Sequence, residues 1–149
     1  MPISQRTQYA VRAVFELAKR IGAGATKISE IAEAQAIPQR FLENILSHLK
    51  GGGFVESARG KEGGYLLARE PKELTVGEIL RFSEGSFSPV ECTVRGKKDS
   101  CPMYGHCPFR SLWHKAELAL EQVYDGTTFE ELVIQEAKDA STSALDFSI

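Results

Sequence analysis

Apolar residues recur every three or four positions over residues 4–21. Tyr9, Ala13, Val14, Leu17, Ala18 and Ile21 fall on one side, with Val11 and Phe15 forming a second apolar edge. That period predicts a helix covered on two sides, by its own domain and by a partner, and ended by Gly22 and Gly24. Ser29 is read as the N-cap of a short helix over Glu30–Ala34, with Ile28 and Ile31 turned inward. After the turn Gln35-Ala36-Ile37, Pro38 opens a third helix, where its missing N–H costs nothing. Leu42, Ile45, Leu46 and Leu49 share one face of this helix, and Gly51-Gly52-Gly53 stops it. Two short strands, Phe54–Ser57 and Tyr65–Ala68, flank a glycine-rich basic tip at residues 58–64.

Downstream, Thr75 and Glu78 stand three apart as a capping box for a helix through Ile79, Leu80 and Phe82, ending near Gly85. Residues 86–107 show no sustained period and read as a loop. Over residues 109–124, Phe109, Leu112, Ala116, Ala119 and Val123 step by three and four, and Trp113, Leu120 and Tyr124 widen that seam. Thr128 and Glu131 cap a last helix through Leu132, Val133 and Ala137. Residues 139–149, rich in Ser, Thr and Asp, read as a disordered tail. The fold class expected is mainly α: a winged helix-turn-helix with a two-stranded wing and a long C-terminal dimerisation helix. Four segments follow: a winged helix-turn-helix at 1–85, a cysteine-containing loop at 86–108, the long seam-bearing helix with a packing helix at 109–138, and the tail at 139–149.

Charge and composition refine this picture. The net charge of −2 does not itself suggest a polyanion partner, but its distribution does. Residues 1–70 hold ten Lys/Arg against seven Asp/Glu, whereas residues 71–149 hold eight against thirteen. No apolar run reaches the ~18 residues a membrane span needs, and Met1–Tyr9 lacks a signal-peptide core. The expected location is the cytoplasm, with no membrane partner.

The third helix offers a polar face of the width a major groove admits. Its first turn carries Pro38, Gln39, Arg40 and Phe41, and Glu43, Asn44, Ser47 and His48 follow on the same side. Arg40 could donate two bonds to guanine, Gln39 could pair with adenine, and Glu43 could accept from a cytosine amino group. Ser29 on the preceding helix and Arg59, Gly60 and Lys61 at the wing tip complete the DNA-binding set, the wing reaching phosphates or a minor groove. A polar helix face is also what any solvated helix presents, so the wing and the short preceding helix carry much of this reading.

Cys92, Cys101 and Cys107 lie within sixteen residues. An odd number in a reducing compartment argues against a disulfide framework and toward metal binding or redox sensing. Zinc is disfavoured because no tight Cys-x2-Cys pair exists. A cluster and bare thiols stay open, and Arg95, Lys97 and Lys98 favour thiolates in either case. The chain has no Cys-x-x-Cys, no His-Glu-x-x-His and no Ser-His-Asp arrangement, and its three His are scattered, so an enzyme is not expected.

Together these residues resemble the Rrf-type family of winged-helix transcription regulators over about residues 1–135. The resemblance rests on Tyr9-Ala10-Val11-Arg12-Ala13, on Ile28-Ser29-Glu30-Ile31-Ala32, and on Phe41-Leu42-Glu43 followed by Leu46, Leu49 and Gly53. Its most specific part is the wing, Arg59-Gly60 with Gly63-Gly64-Tyr65-Leu66-Leu67-Ala68. Leu74-Thr75-Val76 and Glu84-Gly85 extend it. It implies a homodimeric regulator, typically a repressor, on a palindromic double-stranded operator, paired through Phe109, Leu112, Trp113, Ala116, Ala119, Leu120 and Val123. It also implies an iron–sulfur cluster on Cys92, Cys101 and Cys107. The second gap, five residues, matches the family pattern, and the first, eight residues, is longer. Family positions for a fourth ligand fall on Arg110 and Gln8, neither of which suits iron. His106 and His114 are the candidates, beside Glu91, Asp99 or an exogenous thiol. Other members of the family work without a cluster, through a small ligand, thiol oxidation or a regulatory protein partner.

Overall fold

The computed structural model describes residues 3–97 and 101–146, with side chains through residue 144. Its elements are α1 (Gln5–Lys19), α2 (Ile28–Gln35), α3 (Gln39–Gly51), β1 (Val55–Ala58), β2 (Gly64–Leu67), α4 (Val76–Glu84), α5 (Arg110–Asp125) and α6 (Phe129–Asp146), with 3-10 turns at Pro71–Glu73 and Glu91–Thr93.

Each boundary has a local cause. The Ser4 hydroxyl accepts from the Thr7 amide at 3.3 Å, and the Ser4 amide donates to Glu84 at 3.0 Å, tying the start of α1 to the end of α4. The start of α2 differs from the sequence expectation. Ser29 is not the cap: the Glu30 carboxylate reaches back to the Lys27 amide at 3.0 Å, so the helix begins at Ile28. Both downstream capping boxes form as expected. Thr75 donates its amide to Glu78 at 2.9 Å, and Thr128 donates to Glu131 at 2.8 Å. The tight turn between α2 and α3 places Ala36 at φ +48°, which lets the Ile37 amide return to the Ala32 carbonyl at 2.9 Å and buries Ile37.

The core joins one face of every N-terminal element. Ala10, Ala13, Val14 and Leu17 of α1 pack against Ile31 of α2, Leu42, Ile45, Leu46 and Leu49 of α3, and Ile79 of α4. Phe129, fully buried, brings the start of α6 into this same core. Thus α6 folds back to cover α1, and Val11 and Phe15 pack partly against the core within the chain. Lys19 of α1 reaches Glu136 of α6 at 2.9 Å. The second apolar edge of α1 therefore needs no partner to explain it.

Glu16 lies almost wholly buried in α1, accepting from Arg20 at 2.7 Å and Gln35 at 2.8 Å. Burial alone would raise its pKa, but the Gln35 and Arg20 hydrogen bonds and the Lys19 and Arg20 charges outweigh burial and hold it below the ordinary carboxylate range. This pins α2 against α1, and so fixes the frame on which α3 sits.

Three further sequence expectations differ from the structure. The strands lie at 55–58 and 64–67, each one residue from the predicted span, because Val55 pairs with Leu67 and Ala58 with Gly64. The loop at 86–107 contains the 3-10 turn at Glu91–Thr93. The tail does not begin at Asp139. Ser141 and Thr142 return their hydroxyls to the Ala137 and Lys138 carbonyls at 2.9 and 3.1 Å, which lets them sit inside a helix that continues to Asp146. The final three residues of that expected tail lie outside the described residues.

Candidate nucleic-acid interface and sensor loop

The 13-residue helix α3 separates its faces cleanly. Leu42, Ile45, Leu46 and Leu49 are buried, whereas Pro38 just before it and Gln39, Arg40, Phe41, Glu43, Asn44, Ser47 and His48 are exposed. Ser29 is exposed on the first turn of α2. The Arg40 guanidinium lies 4.7 Å from the Phe41 ring centroid, a contact that steadies it without consuming its hydrogen-bond donors. His48 stacks on Phe82 of α4 at 4.4 Å, and Phe82 meets Phe54 edge-on at 5.0 Å. The aromatic row needs Gly52: a Cβ there would collide with both phenylalanine rings. His48 therefore belongs as much to the α3–α4 contact as to the polar face.

The wing is aimed by two backbone connections. Thr26, in the link between α1 and α2, exchanges both peptide hydrogen bonds with Tyr65 of β2 at 2.8 Å each. This works because Gly64 has no side chain, since a Cβ would strike the Thr26 carbonyl and the Lys27 amide. Lys50, at the far end of α3, donates to Ser57 of β1 at 2.5 Å. At the tip, Gly60 has φ +103° and its carbonyl accepts from the Gly63 amide at 3.0 Å, leaving Arg59, Gly60 and Lys61 exposed.

Two residues near this face were missed from the sequence. Arg6 of α1 lines a groove of about 970 Å3 with Asn44, Ser47 and His48 of α3, so a cation of the buried scaffold helix stands beside the polar face. Lys50 joins α3 to the wing. Arg6 was hidden because its helix read as scaffold, and Lys50 because it sits against the glycine stop.

Helix α5 has no buried residue. Phe109, Leu112, Leu118, Leu120 and Val123 are all exposed, Val123 at 62% of its free surface, as is Ala119, while Trp113 and Ala116 are half-buried. Its other side meets α4 through charge: Arg81 donates to Asp125 at 2.8 Å and lies 3.9 Å from Glu121. Those carboxylates raise the Arg81 pKa, the Asp125 hydrogen bond most of all. Gly77 permits this close approach, because a Cβ there would collide with Asp125.

The loop between α4 and α5 is anchored at its start by Glu117, which accepts from the hydroxyls of Ser86 and buried Ser88. Cys92, Cys101 and Cys107 are half-buried free thiols. Their chemistry suits iron–sulfur ligation, but their arrangement here does not: among the described residues no three His, Cys, Asp or Glu side chains are grouped to hold a metal ion. Cys92 faces a cavity with His114, whose lining includes neither other cysteine. His106 is exposed, Glu91 pairs with Lys97 at 3.6 Å, and Gln8 donates to the Ile3 carbonyl at 2.8 Å. Asp99 and Lys98 lie outside the described residues.

No helix among the described residues is long and apolar enough to cross a membrane. Residues 3–135 match the Rrf2 family, described as iron-dependent transcriptional regulators. The chain is 38% identical over 132 residues to the HTH-type transcriptional regulator CymR of Bacillus subtilis, covering 89% of each. It is 32% identical over 142 residues to the transcriptional regulator IscR of Escherichia coli, covering 95% of this chain and 86% of that one. The solved structure of CymR, the global cysteine regulator of B. subtilis, superposes with a TM-score of 0.75 at 35% identity, over 91% of this chain and 98% of that one. These relatives are regulators of transcription and not enzymes, and the solved structures of B. subtilis CymR and T. potens IscR share the mainly helical winged-helix architecture. The chain belongs to the Rrf2 family of winged-helix transcriptional regulators.

Proposed function

We propose that the chain acts as a homodimer on a two-fold symmetric DNA operator, with α3 reading base edges and the wing gripping the backbone. The observation that carries this is the division of α3: four apolar residues buried, and seven polar ones, including Arg40 and Gln39, exposed. The basic tip at Arg59 and Lys61 and the neighbouring Arg6 supply the phosphate-facing charge. Pairing through α5 rests on Phe109, Leu112, Leu120 and Val123, which stay 39–62% exposed. Selection from a random duplex pool tests this. An inverted repeat supports the reading, and recovery of no sequence preference overturns it.

For the signal, two readings each have their own support. The first is an iron–sulfur cluster on Cys92, Cys101 and Cys107, with His106 or His114 as a fourth ligand. It rests on three free thiols in one loop joined directly to α5. It requires the sulfurs to draw together from where they lie. The second reading dispenses with the cluster and lets the loop respond to a small molecule. It rests on the unconverged sulfurs and on the cavity beside Cys92. Iron and sulfide per chain after anaerobic purification separate the two: stoichiometric iron supports the first, and an iron-free, DNA-binding protein supports the second.

A further inference from the structure

We propose that the cavity between the Glu91–Thr93 turn and the first turn of α5 is a binding site for a small organic carboxylate; this rests on the cluster-free reading above. The cavity measures about 370 Å3, within the range that small-molecule sites occupy. Arg95 reaches it from the loop, and Arg110, Ser111 and His114 reach it from α5.

Among the described residues the lining carries two guanidinium groups and no carboxylate. Nearby, Lys97 pairs with Glu91 at 3.6 Å, and the His114 ring lies 4.0 Å from Glu117. Among the described residues no carboxylate pairs with the guanidinium of Arg95 or of Arg110. Arg110 is held in place instead: it lies 4.4 Å over the Tyr104 ring and donates one bond, 2.9 Å long, to the Tyr104 hydroxyl. One donor of five is thereby used, and the remainder of the planar fork suits a carboxylate. The amides opening a 16-residue helix add a favourable dipole at the same place. Glu117 stands beside His114 at 4.0 Å, outside the cavity lining, and accepts from the Ser86 and Ser88 hydroxyls.

An organic acid fits better than a bare inorganic anion, because Tyr104 and Val94 add carbon to the wall. Its carboxylate would bridge Arg95 and Arg110, fastening the cysteine loop to the helix whose apolar side faces outward. Occupancy would thus bias the position of α5 and of any second copy seated on it.

The test is calorimetric titration of the full chain, purified anaerobically and kept reduced, with succinate, lactate and inorganic phosphate at matched ionic strength. Binding of succinate or lactate, weakened roughly tenfold or more by Arg95→Gln and by Arg110→Gln but unchanged by Lys115→Gln, at an exposed α5 residue outside the cavity lining, is the expected result. Binding of phosphate alone overturns the carboxylate assignment, and titrations indifferent to both arginine variants overturn the site. Iron and sulfide are measured on the same sample. An iron-free protein that binds none of the three probes defeats this site while leaving the cluster-free reading intact. A cluster-loaded protein defeats that reading and the site with it.

Discussion

Gly64→Ala isolates the connection that aims the wing. A Cβ at this position would overlap the Thr26 carbonyl and the Lys27 amide, which are backbone atoms and cannot rotate away. Relief requires β2 to move away from Thr26, and both 2.8 Å hydrogen bonds between Thr26 and Tyr65 go with it. Two such bonds are worth about 1–3 kcal/mol net. Residual crowding adds roughly 1 kcal/mol or more. A loss of about 2–4 kcal/mol corresponds to a fall in Tm of roughly 5–15 °C for a chain of this length, at fixed protein concentration. Circular dichroism melting measures the fall, and hydrogen exchange locates it, with the amides of Thr26 and Tyr65 losing protection while Leu46 in α3 keeps it. A loss below about 1 kcal/mol, or unchanged protection at Thr26 and Tyr65, would refute the claim that glycine is needed for this contact.

Three further outcomes are expected. Glu16, Glu78 and Glu84 all titrate below the ordinary carboxylate range in the folded protein, so their contribution is complete above the unfolded value and disappears as pH falls through the folded ones. The melting midpoint should accordingly drop as pH falls from about 5 to about 3, and less steeply in Glu16→Gln, as read by thermal melts across that range. Lys61→Ala should weaken binding to all duplexes alike and reduce the slope of log affinity against log salt by about one unit for each phosphate no longer neutralised, measured by fluorescence anisotropy. Leu112→Asp, at a site 51% exposed, should leave the fold intact but convert the sedimenting species from two chains to one.

Most of the α3 face was legible because burial there follows a strict helical period, with no polar residue placed inward. The wing and the two downstream capping boxes were legible because glycine and Thr-x-x-Glu carry their own geometry. The start of α2 was not, since Ser29 and Glu30 offer competing caps and only the reach of Glu30 to the Lys27 amide decides between them. Phe129 was invisible as a core residue because what buries it is a long-range return, sealed where its amide meets the Leu74 carbonyl at 3.0 Å. The extension of α6 was hidden by Ser and Thr, which read as loop formers until their hydroxyls find the carbonyls one turn back. For the cysteines, spacing announced thiol chemistry but said nothing about convergence, which depends on where a loop of irregular period comes to rest.

The exposed side of α3 is expected to read bases, and Arg40→Ala probes that role. Affinities of wild type and variant are measured for the selected operator and for a scrambled duplex in the same buffer. The ratio of the two is expected to fall at least tenfold, with preference relaxed at one base pair in each half-site, as removal of a bidentate pairing worth ~1–3 kcal/mol requires. An unchanged ratio in a folded, dimeric variant would contradict it.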